Sequence, residues 1–99
     1  MTREEVYQAI EKVEHPEIAA TLVELGMILD ISVQGQTATV AMALPTLGIP
    51  EMVQVALSDS LRQPIENLGL KMEVEFFEMT DQAKNNFFQM AQARWKGSI

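Results

Sequence analysis

The chain has 99 residues, no cysteine and a formal net charge of −7. Its length fits a single domain, 1–99, and a composition 47% hydrophobic and 21% charged fits a packed core rather than a disordered chain. The missing cysteines exclude disulfides, thiolate ligands and a cysteine nucleophile, and the scattered Lys and Arg residues offer no phosphate-binding patch, so no nucleic-acid partner is expected.

In chain order, Thr2 and Glu5 have the spacing of a capping box. Val6, Ala9, Ile10 and Val13 then follow helical periodicity, and Pro16 is expected to end that helix after His15. Residues 17–25 suggest a short helical turn closed by Gly26. Residues 27–34 alternate, with Leu29, Ile31 and Val33 on one face and Asp30, Ser32 and Gln34 on the other. Gly35-Gln36 suits a type II′ hairpin turn with glycine first. In residues 37–44, Ala38, Val40, Met42 and Leu44 share the inward face.

A second helix is expected from Pro50, a favoured first helical position. Its buried stripe would be Val53, Ala56, Leu57 and Leu61. Pro64 is expected to break or kink it, and Gly69 to end its last turn. Residues 71–78 alternate again, with Met72, Val74 and Phe76 inward and Glu73 and Glu75 outward. Thr80 or Asp81 would cap a third helix whose apolar positions are Ala83, Phe87, Met90, Ala91 and Trp95. Met27, Met42, Met72 and Met90 fit apolar faces, while Met52 and Met79, beside helix starts, are candidates for exposure. The fold class is therefore α+β: a two-layer domain, helix–hairpin–helix–strand–helix, with a three-stranded mixed sheet. Its third strand should run parallel to the second, because one helix crosses back between them.

No apolar run approaches ~18 residues, so no membrane association is expected. The polar, acidic start of the chain is unlike a secretory signal, which points to a cytoplasmic protein.

Three segments carry a resemblance: His15-Pro16-Glu17, residues 22–28, and residues 40–50 ending Pro45-Thr46-Leu47-Gly48-Ile49-Pro50. Over about residues 3–78 the chain resembles the metal–sulfur cluster biosynthetic domain family. That family includes accessory proteins of the SUF iron–sulfur assembly system, PaaD-like proteins and the N-terminal domain of Mrp-type ATPases. Its first motif usually reads Asp-Pro-Glu and its loop Thr, any residue, Gly, Cys, Pro. Here His15 replaces the Asp and Ile49 the Cys, while Glu17, Thr46, Gly48 and Pro50 match. The helix over about 80–95 replaces the Trp- and Pro-rich loop that the resemblance leads one to expect.

A cysteine before Pro50 would sit in the positive field of a helix start, where its thiolate could bind iron; isoleucine has no such chemistry. The resemblance thus implies the fold and a link to iron–sulfur assembly, with no cysteine ligand. His15 reads either as a metal ligand or acid–base group, or as a surface or helix-end histidine, the expected case. Glu17 is expected to accept hydrogen bonds from the turn after Pro16, or else to serve as a ligand or partner carboxylate. Thr46 either contacts an anion or partner, or ties down its own loop. Phe87, Phe88, Met90 and Trp95 suggest a partner surface, since adjacent Phe87 and Phe88 point about 100° apart on a helix.

The function expected is a non-catalytic accessory or adaptor related to iron–sulfur cluster assembly or delivery. It would act through protein partners, with homodimerisation also open, and without a cofactor, a metal site or enzymatic activity. The alternative is a small-molecule or anion-binding domain using the Thr46–Pro50 loop at a helix start.

Overall fold

A computed structural model describes residues 2–95. The elements are α1 (Arg3–Ile10), β1 (Ile28–Gln34), β2 (Thr37–Leu44), α2 (Glu51–Glu66), β3 (Lys71–Glu78) and α3 (Asp81–Arg94). They build the expected α+β domain with an open, mixed sheet in the order β1-β2-β3. β1 and β2 are antiparallel, and β2 and β3 are parallel.

Local chemistry sets most boundaries. The Glu5 N–H donates to Thr2 Oγ1 and the Thr2 N–H to Glu5 Oε1, so both halves of the capping box form. Gly35 takes the hairpin's left-handed position at φ 60°, and among the described residues no non-glycine residue has positive φ. That combination suits a type II′ turn and excludes type I′, which needs two positive φ values. Thr80 caps α3 by accepting from the Ala83 N–H.

The sheet's inner face carries Ala38, Val40, Met42 and Leu44 beside Met72, and α1 and α2 cover it with Val6, Ile10, Leu57, Leu61 and Ile65. All of these are buried, and Met79, placed among the exposed candidates from sequence, is buried with them.

Several expectations are corrected. α1 ends at Ile10, well before Pro16, because residues 13–22 fold back on themselves instead of continuing the helix. The Leu22 N–H donates to the Val13 carbonyl and the His15 N–H to the Ala20 carbonyl. Only residues 21–26 make the expected helical turn. It closes at Gly26, φ 75°, with the Met27 N–H on the Leu22 carbonyl and the Gly26 N–H on the Val23 carbonyl.

Leu29 is exposed rather than inward. The register slips between Ile28 and Asp30, so Leu29 is the extra residue of a bulge and Ile28 takes the inward place opposite Met42. In α2, Pro50 is the cap and Glu51 the first helical residue. The buried stripe is Leu57, Ser58, Leu61 and Ile65, leaving Val53 and Ala56 exposed. Pro64 does not break the helix, which runs on to Glu66. Trp95 lies at the C-cap of α3 and is exposed.

Candidate functional site

The sequence motifs fall into two groups, each held by its own contacts. The first is the fold-back of residues 13–22, pinned to the C-terminal end of α3. The Ala19 N–H donates to the Arg94 carbonyl at 2.8 Å, and Ile18 bridges Trp95.

Within it, His15 is a buried residue, only 8% exposed, not the surface histidine expected from sequence. Its Nδ1 accepts the Glu17 N–H at 3.0 Å, and its ring meets Phe87 edge-on with centroids 6.4 Å apart. Accepting through Nδ1 puts the neutral ring's hydrogen on Nε2. An aspartate here would make the same two-residue bond with its carboxylate, as in an Asx turn. His15 therefore supplies the acceptor that an aspartate could supply at this position. The expected role of Glu17 is reversed: its backbone donates to the turn, while its exposed side chain accepts no hydrogen bond among the described residues.

Phe87 also packs edge-on against Phe88, with centroids 5.6 Å apart. Phe87 is buried, whereas Phe88 is 48% and Trp95 55% exposed. Met90 is half-buried, in a shallow depression lined by Glu24, Asn86, Gln89, Ala93 and Arg94.

Beside it lies a pair that sequence reading missed. The Thr21 N–H donates to Glu24 Oε1 at 2.8 Å and the Glu24 N–H to Thr21 Oγ1 at 3.0 Å, a second capping box. The Thr21 N–H is the main reason that the Glu24 carboxyl is held below its ordinary range; the Thr21 hydroxyl and Arg94 add to the effect, against a desolvation effect of opposite sign. The signal was present, since Thr21-x-x-Glu24 has the spacing of Thr2-x-x-Glu5.

The second group is the loop between β2 and α2. Thr46 ties down its own loop: its hydroxyl accepts the Gly48 N–H at 3.1 Å. Gln54 Nε2 reaches back to the Ile49 carbonyl at 2.8 Å. Ile49 is half-buried and packs against the core. Pro50 caps α2 without a side-chain hydrogen bond, its carbonyl accepting from the Val53 and Gln54 N–H groups.

Several apolar side chains are exposed around this loop. Leu47, Met52, Val53 and Val55 are exposed, Met52 to 81%. Met52 and Val55 are three residues apart on α2, so they share its outer side.

No group of three or more His, Asp or Glu residues among the described residues could hold a metal ion, and the chain has no cysteine. The donor set does not fit a cluster site.

The fold and loops define a two-layer α+β domain whose β2–α2 loop is tied by its own hydrogen bonds and lacks a reactive group. Residues 3–76 match the family of iron–sulfur cluster assembly proteins, and the chain belongs to that family. A crystal structure of a domain of unknown function, DUF59, from Bacillus anthracis shares the fold. It has a TM-score of 0.63 and 23% identity over 92% of this chain and 88% of that one. No curated protein matches the chain. Among the described residues, no helix is long and apolar enough to cross a membrane.

Proposed function

We propose that this protein is a non-catalytic accessory or adaptor in iron–sulfur cluster assembly or delivery, working in the cytoplasm through protein contacts, in the manner of SUF accessory and PaaD-like proteins. One observation carries the proposal. The loop where the family places its cysteine keeps its internal hydrogen bonds but presents Ile49, packed against the core and flanked by exposed Leu47 and Met52. Such a loop offers shape and apolar surface rather than a thiolate. Phe88, midway along α3, and Trp95 at its C-cap supply a second contact region.

The anion-binding alternative draws less support. The Gly48 N–H is already engaged by Thr46, and Glu51 places a carboxylate in the first turn of α2.

Affinity capture from native lysate with the tagged full chain tests the proposal. Proteins of iron–sulfur assembly, or proteins that receive clusters, should be recovered. Leu47→Glu or Phe88→Glu should reduce their recovery without lowering the melting temperature by more than a few degrees. Recovery of none, or recovery indifferent to both substitutions, would overturn it.

A further inference from the structure

The sheet has a free edge whose chemistry specifies what can pair with it. β3 is an edge strand, hydrogen-bonded to β2 on one side only. On its other side no backbone hydrogen bond joins it to any described residue. α3, which follows it, turns away and is tied by backbone to the fold-back at Ala19.

Along this edge the two faces differ. Lys71, Glu73, Glu75 and Phe77 alternate outward and are exposed, Phe77 to 44%. Met72, Val74 and Phe76 alternate inward; Val74 and Phe76 are only half-buried, so the core is left incompletely covered along the edge. None of Lys71, Glu73 and Glu75 has an ion-pair partner among the described residues.

We propose that the β3 edge receives an extended segment of a partner protein. One face of that segment would be apolar, completing the cover of Val74 and Phe76. The other would read acidic, basic, basic, apolar opposite Lys71, Glu73, Glu75 and Phe77. Strand addition of this kind draws affinity from backbone hydrogen bonds and specificity from alternate side chains.

A second copy of the chain does not meet this pattern. Antiparallel pairing centred on Val74 sets Glu73 against Glu75 twice. Centring on Glu73 sets Lys71 against Glu75 twice, but opposes Glu73 to itself and leaves Phe77 facing Gly69. β3 has one cation, Lys71, and the pattern needs two. Like charges directly opposite destabilise a strand pair. The same charges that guard the edge against self-association thus select a basic segment.

The inference gives the adaptor proposal a partner chemistry and rests on it, but its test is separate. Isotopically labelled full chain is titrated by NMR with the blocked peptide Leu-Val-Lys-Val-Lys-Val-Glu, with its charge-reversed counterpart Leu-Val-Glu-Val-Glu-Val-Lys, and with a copy of the first N-methylated at every amide. The first should shift amides of residues 71–78. The charge-reversed peptide should bind roughly tenfold more weakly, three cross-strand pairs having changed sign. The N-methylated copy should not bind. The double variant Glu73→Lys with Glu75→Lys should invert the preference between the two unmethylated peptides. Shifts confined to α3 or to residues 46–50, indifference to charge, or binding by the N-methylated copy would overturn the proposal. A concentration-dependent dimer paired through β3 would overturn it in favour of a second copy. Loss of the edge site would leave lysate capture through the loop and α3 unaffected, so the two proposals fail separately.

Discussion

Replacing His15 separates two jobs that the ring performs at once. Its Nδ1 accepts the Glu17 N–H, and its edge packs on Phe87 in a buried setting. A hydrogen bond of this kind contributes about 1 kcal/mol, and an aromatic edge contact about 1 kcal/mol beyond burial. Losing the buried ring carbons adds about 1 kcal/mol more. His15→Ala should therefore destabilise the domain by about 3 kcal/mol. His15→Asn keeps an acceptor two residues before the Glu17 N–H, in Asx-turn geometry, and should lose only about 2 kcal/mol. In a domain of this size 1 kcal/mol moves the melting temperature by about 4 °C, so the variants should melt about 12 °C and 8 °C below the parent. Urea denaturation followed by far-UV circular dichroism gives the two free-energy losses, and a thermal scan gives the melting temperatures. Comparing His15→Ala with His15→Asn in the Phe87→Leu background isolates the hydrogen bond from the ring contact, because both forms then lack the aromatic pair and only Asn keeps the acceptor. If Asn and Ala prove equal within about 0.5 kcal/mol, the assignment of His15 as the turn's acceptor fails.

Ile49→Cys should fold, at a cost of about 1 kcal/mol for the smaller half-buried side chain, and its thiol should titrate below a free cysteine's value because it precedes a helix start. An unshifted thiol, read from the pH dependence of alkylation, would show that the loop no longer has the geometry of a thiolate site. Pro64→Ala should raise stability by about 1–2 kcal/mol in urea denaturation, since α2 continues through Pro64 without the N–H of that position; a loss would assign the ring a packing role. Glu24 has a carboxyl held below its ordinary range in the folded state, so its contribution is present above the unfolded value and is lost as pH falls through the folded one. Glu24→Gln should accordingly flatten the acid limb of the stability–pH curve, and an unchanged limb would refute the second capping box as its source.

What was legible in the sequence is what short-range chemistry decides. Thr2 with Glu5, Gly35, Thr80 and the alternation of residues 71–78 each specify local geometry, and the single crossover helix specifies a parallel third strand. What was not legible depends on partners distant in the chain. Leu29 alternates correctly in sequence, yet the bulge that expels it arises from how β1 is laid against β2. His15 looks like a helix-end residue until Phe87, far along the chain, closes over it. Val53 and Ala56 fit a helical stripe as well as Ser58 does; only the position of α2 on the sheet chooses between them. Met52 was expected to be exposed and is, but its exposed apolar neighbours Leu47 and Val55 were missed for the same reason.

That surface alters the meaning of the absent cysteine. A thiolate site at a helix start works through charge and needs water-accessible, polar surroundings. Here Ile49 turns partly into the core, while Leu47, Met52, Val53 and Val55 leave apolar area in water on both sides of it. Exposing such residues singly is ordinary, but four of them within residues 47–55 of an acidic protein form a concentrated patch. The loop's hydrogen bonds, Thr46 to Gly48 and Gln54 to Ile49, hold that patch in fixed shape, which lowers the entropy lost on docking. Under the proposed adaptor role the two features converge: a loop with no thiol to offer a metal has apolar surface to offer a partner.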